Sequence, residues 1–379
     1  MKEKVSIVKS QSYNFPSLYT SVRKSVDLIG GIKKYIKPNE KILLKPNLLS
    51  AKEPERGVTT HPEVIRALIR MTREAGAIPI LGDSPGGAVK GLERVWDKTG
   101  MKKLAEQEKV DLVSFEAAGS KQVKINHPLI KSIHLSNTVF DVDGIINIPK
   151  LKTHGLMLMT GTIKNLYGCV PGLRKAEYHK YAPYPKDFGL LLKEIYLQLK
   201  DKIRFSLIDG IVSMEGNGPS SGELRNTNIL ISGNNALVTD KIVARIFGFD
   251  ERKIETINCF EKNEQSDITN IEIVGENLNT LNFGKFKLPS NWYIHLVPKF
   301  LVDLLGKLLW LKPKIDQTKC IDCMMCFDSC PVKAIKKDKN NKLIVDKKEC
   351  ISCLCCHELC PYNSIELESS FVSKILIRH

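Results

Sequence analysis

Nine of the eleven cysteines lie between residues 320 and 360, and they form an internal repeat. The segment KCIDCMMCFDSCPVKAI (319–335) aligns with ECISCLCCHELCPYNSI (349–365) at an offset of thirty residues. Each copy reads Cys-x2-Cys-x2-Cys-x3-Cys-Pro, and Cys355 is the one cysteine of this region outside the pattern. Because thiols clustered at fixed short spacings are typical of metal ligands rather than disulfides, this repeat constrains the fold more than any other feature.

The spacing also indicates which metal centre the thiols hold. Three thiolates at intervals of three residues can wrap a tight turn around three corners of an iron–sulfur cubane, which leaves the fourth corner for a ligand from elsewhere. Zinc is the alternative, since it also takes four thiolates from paired Cys-x2-Cys motifs. A zinc site has no use for the third and fourth cysteines of each copy, so the repeat favours iron–sulfur clusters.

Over about residues 315–368 the tail resembles the bacterial-type two-cluster ferredoxin. The resemblance implies two [4Fe-4S] clusters, in which the cysteine before each proline ligates the cluster of the other copy. The first implied ligand set is Cys320, Cys323, Cys326 and Cys360, and the second is Cys350, Cys353, Cys356 and Cys330.

Two such clusters are typical of single-electron transfer, and the alternative is that they only stabilise the fold. For Cys355 the sequence leaves two interpretations open. It is either an inert neighbour of the clusters or a thiol with a role in cluster assembly or redox chemistry. The segment between the two copies alternates apolar residues after Asn340 and Asn341, which predicts a small hairpin.

The larger, N-terminal part alternates apolar strands with amphipathic helices from residue 40 to about 275. Strands are predicted at 41–49, 77–83, 144–149, 205–210 and 228–233, and helices at 62–76, about 187–200 and about 236–247. This alternation predicts an α/β fold, a mostly parallel three-layer sheet domain, followed by a small α+β two-cluster ferredoxin-like domain. The predicted boundaries are 1–298 for the α/β domain, 299–314 for an amphipathic helical linker and 315–379 for the ferredoxin-type domain.

Polar side chains follow several of these strands, and glycines accompany them. In an α/β sheet the ligand site lies beyond the carboxyl ends of the strands, and lysines beside glycine N–H groups suit phosphate or carboxylate. The sequence therefore predicts an anionic small-molecule ligand, although basic glycine-rich loops are often only solvated turns. The candidate binding residues are Lys45, Asn47, Lys150, Lys152, Lys164 and Asn165, and the candidate proton-transfer residues are His154 and Asp83.

The same motifs resemble the family described as domain of unknown function 362. The resemblance rests on KPNLLS, HPEVIRALI, GDSPGG, PKLKTHGLMLMTGTIKNLYGCVPG and DGIVSMEGNGP, and it covers roughly residues 40–250. It implies an iron–sulfur protein of anaerobic or redox metabolism. Lys152, His154, Lys164 and Asn165 fall within the family's motif, but the resemblance assigns them no reaction.

The formal net charge is +15, and +12 of it precedes Lys312. A basic body favours anionic substrates and an acidic electron carrier such as ferredoxin or flavodoxin. Nucleic acid is not expected as a partner, because no binding motif or aromatic platform accompanies the lysines.

The N-terminus lacks a secretory signal, and the apolar stretch 300–311 is too short to span a membrane, so a cytoplasmic location is expected. That stretch predicts an amphipathic helix, packed on its own domain or in peripheral contact with a membrane or partner.

Two functions fit these features. The first is a ferredoxin-dependent oxidoreductase, in which a carrier reduces the clusters and the clusters pass electrons to an anionic small molecule or cofactor in the α/β domain. The second is a non-enzymatic electron-transfer or assembly protein that docks a redox partner. A deep pocket at the strand ends would favour the first function, whereas a flat surface there would favour the second.

Overall fold

The computed structural model describes residues 3–86, 91–260, 271–281, 283–289 and 311–370. In these ranges the strands are β1 Glu3–Lys9, β2 Lys41–Pro46, β3 Ile78–Asp83, β4 Asp111–Ser114, β5 Ser120–Lys124, β6 Ser132–Ser136, β7 Gly144–Ile148, β8 Lys150–His154, β9 Leu158–Thr160, β10 Ile203–Glu215, β11 Glu223–Gly233, β12 Ile271–Gly275, β13 Leu311–Ile315, β14 Ile335–Lys337, β15 Leu343–Val345 and β16 Ile365–Ser369.

The α-helices of the same ranges are α1 Phe15–Leu28, α2 Ile32–Tyr35, α3 Pro62–Glu74, α4 Leu92–Lys98, α5 Met101–Glu108, α6 Thr138–Asp141, α7 Thr162–Asn165, α8 Arg174–Tyr181, α9 Pro185–Leu199, α10 Ala236–Phe247, α11 Glu255–Asn258, α12 Met325–Asp328 and α13 Cys355–Leu359. Short 3₁₀ helices cover Pro54–Arg56, Leu166–Cys169, Glu251–Lys253 and Leu278–Thr280.

The larger domain is an α/β domain built on one ten-stranded sheet, as the alternation of strands and helices predicts. The strand order is β12-β1-β11-β10-β7-β2-β3-β4, and β8 pairs with β10 and with β9. The pairs β2–β3, β2–β7, β3–β4, β7–β10, β8–β10 and β1–β12 are parallel. The pairs β1–β11, β10–β11 and β8–β9 are antiparallel, so the sheet is mostly parallel.

Helices cover both faces of this sheet, which gives three layers. Along β2, Leu43 belongs to one hydrophobic core, while its neighbours Ile42 and Leu44 belong to the other. In β7, Ile145 and Ile146 divide in the same way. Successive side chains of a strand point to opposite faces, so a continuous apolar run is what a sheet covered on both sides requires.

Local signals fix the ends of the main helices. Pro62 occupies the first turn of α3, and the His61 side chain accepts a hydrogen bond from the Glu63 N–H. The Asn235 side chain caps α10 in the same way, and Gly248 ends it at a φ of 70°. The strands predicted at 205–210 and 228–233 are longer than expected and form one antiparallel hairpin, Ile203–Glu215 with Glu223–Gly233.

The cysteine-rich tail forms a small α+β module, which we call the cluster module (residues 311–370). Strand β13 pairs antiparallel with β16, and the predicted hairpin is present as β14 and β15. The short helices α12 and α13 contact each other and lie at equivalent places in the two halves of the repeat.

The described residues of the predicted linker, 311–314, belong to β13, while the rest of the helix predicted at 300–311 lies outside the described residues. None of the helices that the structure describes has the length and apolar character needed to cross a bilayer.

Candidate functional site

The thiols of the cluster module fall into two neighbourhoods. Burial, together with the nearby thiols of Cys360, Cys323 and Cys320, raises the pKa of the Cys326 thiol to about 12. These four cysteines are therefore close together, although three come from the first copy of the repeat and one, Cys360, comes from the second. They are the members of the first ligand set that the ferredoxin resemblance implies.

A second group surrounds Cys356. Burial raises the pKa of its thiol well above the usual value, and the thiols of Cys353, Cys326, Cys350 and Cys330 add to the shift. Cys350 likewise lies near Cys353 and Cys330. The structure thus brings Cys330, from the first copy, to the three cysteines of the second copy.

The backbone of the two loops repeats in the same way as the sequence. Non-glycine residues adopt positive φ at three pairs of positions thirty residues apart: Asp322 (53°) and Ser352 (57°), Met324 (61°) and Leu354 (61°), Lys333 (54°) and Asn363 (50°). Such residues are uncommon because each left-handed residue costs about 1–2 kcal/mol. Runs that mix left- and right-handed residues turn successive N–H groups inward and form anion-binding concavities, including those at iron–sulfur sites.

The cysteine before each proline also accepts a backbone hydrogen bond at its sulfur. The N–H of Ala334 donates to Sγ of Cys330 (3.2 Å), and the N–H of Ser364 donates to Sγ of Cys360 (3.4 Å). Hydrogen bonds to ligating sulfurs are one of the features that set cluster potentials.

The donor set fits two cubanes. In the described part of the chain, no three or more His, Cys, Asp or Glu side chains are placed to share a single metal ion. A cubane presents a separate iron to each of its four thiolates, so its ligands need not converge on one point. The two thiol neighbourhoods, the paired left-handed turns and the N–H···S bonds all match what such a group needs.

Cys355 lies beside the second thiol group and also contacts a cavity. It is buried, at 7% exposure, and it forms a side-chain hydrogen bond with Cys353 that, together with burial, raises the pKa of its thiol well above the usual value. It also lines a cavity of about 80 Å³ between the α/β domain and the cluster module.

This cavity lies at the strand ends where the sequence predicts a ligand site. The α/β domain contributes Asn47, Asp83, Lys164 and Asn165 to its lining, and helix α13 contributes Cys355, Glu358 and Leu359. A wider open groove of about 760 Å³ shares Gly172, Leu173, Ala176 and Ser329 with the cavity and leads to the surface.

Direct contacts hold the cluster module over the strand ends. His154 Nε2 lies 3.3 Å from Glu358 Oε1. Lys52, which is 4% exposed, donates from Nζ to Oδ1 of Asn363 (2.6 Å) and to the carbonyl oxygen of Ser220 (2.9 Å). A Cβ atom on Gly86 would collide with the Leu359 side chain, so the two parts approach closely there.

Two of the predicted anion-binding lysines are already paired with carboxylates. Lys45 Nζ lies 2.8 Å from Asp83 Oδ1, and Lys150 Nζ lies 2.8 Å from Asp209 Oδ2, with all four side chains fully buried. Burial raises the pKa of Asp83, and the Lys45 ammonium partly opposes this rise. Because the carboxylates already neutralise these two ammonium groups, a role in positioning the strand ends fits Lys45 and Lys150 better than a role in binding an anion.

Lys152 is fully buried, and its Nζ donates to the carbonyl oxygen of Val58 (2.5 Å). Burial lowers the pKa of this ammonium well below its ordinary value, and the positive charge of Lys164 lowers it further. Burial raises the pKa of the nearby Glu358 carboxyl to about 7, although Lys164 and Lys152 pull it down. A lysine of this kind is a functional-site candidate, because burying a charge without a close counter-ion is costly.

Lys164 is the predicted lysine that faces the cavity. Among the described residues no hydrogen bond or ion pair engages its ammonium, although Glu358 and Cys355 lie near it. Burial lowers the pKa of Lys164, and the nearby Glu358 and Cys355 side chains oppose the shift. The short helix α7 carries this lysine and is anchored by Asp240, which accepts hydrogen bonds from the N–H groups of Thr162 (2.6 Å) and Ile163 (3.1 Å).

Asn47 and Asn165 belong to a chain of side-chain amides. Asn165 Nδ2 donates to Asn147 Oδ1 (2.8 Å) and to the carbonyl of Pro46 (3.3 Å), so its Oδ1 is free to accept from Asn47 Nδ2 (2.9 Å). The Asn47 Oδ1 atom is buried and has no hydrogen-bond partner within the described ranges.

The His154 tautomer follows from its backbone contacts. Its Nδ1 accepts hydrogen bonds from the N–H groups of Leu156 (3.1 Å) and Met157 (3.3 Å), which places the ring proton on Nε2, toward Glu358. His154 thus contacts the cluster module rather than the cavity.

Sequence reasoning missed Glu358, His179, Lys175 and the placement of Cys355 in the cavity. Glu358 is an ordinary acidic residue within the second cysteine motif, and the sequence does not mark it as part of a site. Its contact with His154 in the structure does. His179 is 6% exposed, and burial lowers its pKa to about 3. Lys175 donates to Ser84 Oγ, and burial lowers its pKa to about 8.

The fold and the site together define an iron–sulfur protein in which an α/β domain is joined to a two-cluster ferredoxin-type module. The chain belongs to the family described as domain of unknown function 362, whose model matches residues 42–245. A second model, 4Fe-4S dicluster domain, matches residues 313–367, and this supports iron–sulfur binding and electron transfer.

One curated relative is the thylakoid-associated protein sll1697 of Synechocystis sp. It is 35% identical over 266 residues, which are 69% of this chain and 80% of that protein. Among solved structures the chain is similar to the lactate racemase apoprotein from Thermoanaerobacterium thermosaccharolyticum, at 11% identity and a TM-score of 0.42. That match covers 65% of this chain and 57% of the racemase chain, and it carries no inference about activity.

Proposed function

We propose that the protein is an oxidoreductase in which two [4Fe-4S] clusters pass electrons to an anionic small molecule held at the junction of the two domains. The observation that carries this proposal is the cavity, because strand-end residues and helix α13 of the cluster module line it together. A ligand there would be within short reach of the cluster-binding cysteines on one side and of polar side chains on the other.

The proposed ligands of one cluster are Cys320, Cys323, Cys326 and Cys360, and those of the other are Cys350, Cys353, Cys356 and Cys330. The two thiol neighbourhoods around Cys326 and Cys356 support this division. When bound, the clusters supply single electrons, which a reduced carrier protein replaces, while the ligand takes up a proton with each electron.

The remaining residues have separable roles in the proposal. Lys164 and Asn47 bind and orient the ligand, because both line the cavity, and Asn165 holds the Asn47 amide in place. Lys45 and Asp83 keep the ends of β2 and β3 together. His154 and Glu358 hold the cluster module over the cavity and lie where a proton could pass toward it.

The exposure of the cysteines suggests where electrons enter. Cys323 is exposed, whereas Cys353 lies close to Tyr167, which lines the cavity. We therefore propose that the carrier docks near Cys323 and that the cluster held by Cys353 is the one next to the ligand. Exposed lysines of the hairpin, such as Lys336, Lys339 and Lys342, would attract an acidic ferredoxin or flavodoxin.

We propose a cytoplasmic location, consistent with the expectation from the sequence. The name of the Synechocystis relative associates that protein with thylakoids, and peripheral contact of this chain with a membrane is the alternative that the name favours.

The proposal is tested by purifying the protein without oxygen. We expect eight irons and eight sulfides per chain, and electron paramagnetic resonance signals of two reduced clusters after addition of a reduced acidic ferredoxin. Mass spectrometry of small molecules released on denaturation then identifies the ligand, and anaerobic assay measures its reduction. Zinc in place of iron would overturn the cluster assignment, and full clusters with no bound or reduced small molecule would favour the electron-relay function instead.

A further inference from the structure

We propose that the cavity between the domains binds a small monocarboxylate that also carries a hydrogen-bond donor, with Lys164 as the group that holds its carboxylate. This inference rests on the proposed function, since it names the class of ligand for the same site. It also makes the cluster module part of that site, because Cys355, Glu358 and Leu359 close one side of the cavity.

The charged side chains around the cavity determine which group can hold an anionic ligand. Asp83 is balanced by Lys45 at 2.8 Å, whereas Glu358 contacts the neutral imidazole of His154 at 3.3 Å and lies near Lys164. Lys175 is engaged by Ser84 Oγ and lies beside Glu116. Lys164 lines the cavity, and within the described ranges its ammonium has neither a hydrogen bond nor an ion pair, so it is the cation available to hold a carboxylate.

The hydrogen-bonding groups of the cavity wall indicate what the ligand carries besides its carboxylate. The amide chain from Asn147 through Asn165 fixes the Asn47 amide with its Nδ2 directed to Asn165, and the Asn47 Oδ1 atom lacks a partner among the described residues. A buried acceptor left unsatisfied costs about 1–3 kcal/mol. A hydroxyl or amino group on the ligand, next to its carboxylate, would satisfy this oxygen after a small shift of the side chain.

The volume of the cavity limits the size of the ligand. The cavity volume of about 80 Å³ is well above the roughly 10–15 Å³ that a buried water needs, so the cavity can hold several waters or a small organic acid. Leu49, Leu173 and Leu359 supply apolar walls, which suit a short hydrocarbon portion. The open groove beyond Leu173 gives such a molecule a path from the surface.

The ligand site is connected to the clusters through Cys355. Cys355 lines the cavity, and its side chain is hydrogen-bonded to Cys353, a proposed cluster ligand. A carboxylate placed beside Lys164 therefore changes the surroundings of that cysteine pair. We expect binding to alter the spectrum of the nearer cluster, whether or not the bound acid is reduced.

The test uses the cluster-loaded full chain under anaerobic conditions with glycolate, acetate and acetamide as probes. Calorimetry is expected to show binding of glycolate, at least tenfold weaker binding of acetate, and no binding of acetamide, which has the same shape as acetate without its charge. Glycolate should also shift the electron paramagnetic resonance signal of one reduced cluster. Equal binding of acetate and acetamide, or no binding of either acid, would overturn the inference without any variant being needed.

Two lysine variants locate the site. Lys164→Met should weaken glycolate binding at least tenfold, whereas Lys180→Met, which removes an exposed ammonium from the groove, should leave it unchanged. Iron content and the reduced-cluster signals are measured on each variant first. A failure of the clusters to accept electrons would count against the proposed function, while intact, reducible clusters with unchanged binding in Lys164→Met would count against this inference alone.

Discussion

His154 Nε2 lies 3.3 Å from Glu358 Oε1, and this contact joins the last residue of β8 to the helix that carries Cys356. His154 is 1% exposed and Glu358 is 12% exposed, so solvent screens the pair little. The imidazole is fixed by two backbone N–H groups, which makes it a rigid point of attachment for the cluster module.

The first prediction is that His154 and Glu358 act as a unit in holding the module. His154→Ala and Glu358→Gln should each lower the temperature at which the visible absorbance of the clusters is lost, and the double variant should be little worse than either single variant. We expect a coupling of about 0.5–3 kcal/mol, the range for residues in contact.

Arg94 provides the control for that cycle. Its guanidinium donates to the Tyr362 hydroxyl (3.0 Å) at another place between the two parts, so Arg94→Ala should add to His154→Ala without coupling. Full additivity of His154→Ala with Glu358→Gln would show that the contact contributes nothing to docking.

The second prediction concerns the buried pair of Lys45 and Asp83. Lys45→Met leaves the Asp83 carboxylate in the interior without its cation, and we expect a loss of about 3–5 kcal/mol in the free energy of unfolding. The double variant Lys45→Met/Asp83→Leu should recover much of this loss, because no unpaired charge remains. Urea unfolding followed by the fluorescence of the tryptophans, including the buried Trp96, measures both changes. A single variant as stable as the wild type would exclude a structural role for the pair.

Much of the sheet could be predicted because its signals are local. Helix α10 occupies the predicted 236–247, and α3 ends two residues before the predicted 76, since apolar periodicity and capping residues mark them. Strand β8 gave no such signal. All five of its residues are buried, three of them are Lys150, Lys152 and His154, and their partners Asp209, Val58 and Glu358 are distant in sequence.

The same reason explains what the sequence left open at the candidate site. It indicated a cluster of polar residues at the strand ends, but it could not distinguish Lys45 and Lys150, which pair with carboxylates, from Lys164, which has no ion pair in the part of the chain that the structure describes. It also left the orientation of Cys355 undecided, because the motif fixes the spacing of thiols but not which surface each one faces.

The third prediction is a pH dependence that arises from Asp240. Burial raises the pKa of this carboxyl from 3.8 to about 6, although three hydrogen bonds from Thr162 and Ile163 oppose the shift. A group whose pKa is higher in the folded state contributes stability below its unfolded pKa, and this contribution is lost as the pH rises through the folded value. Asp240→Asn should therefore cost more stability at pH 4 than at pH 7, by about 2 kcal/mol.

The measurement is urea unfolding of both proteins across this pH range. Thr162→Val serves as the matched control, since it removes only the hydroxyl that donates to Asp240 Oδ1 (2.9 Å) and keeps the titrating carboxyl. Its effect on stability should vary with pH much less than that of Asp240→Asn. A cost for Asp240→Asn that is greater at pH 7 than at pH 4 would mean that the folded protein favours the charged form.

The fourth prediction separates two cysteines that lie two residues apart. Cys353 lies near Cys350 and Cys356 and is a proposed cluster ligand, whereas Cys355 faces the cavity. Cys353→Ser should therefore halve the iron and sulfide content of the anaerobically purified protein or yield a cluster that is rapidly lost. Cys355→Ser should retain eight irons, because a serine hydroxyl can still donate a hydrogen bond toward the Cys353 sulfur. Chemical analysis of iron and sulfide checks both variants.

Loss of iron in Cys355→Ser with full iron in Cys353→Ser would exchange the two assignments. It would also place a cluster ligand, rather than a free thiol, in the wall of the cavity.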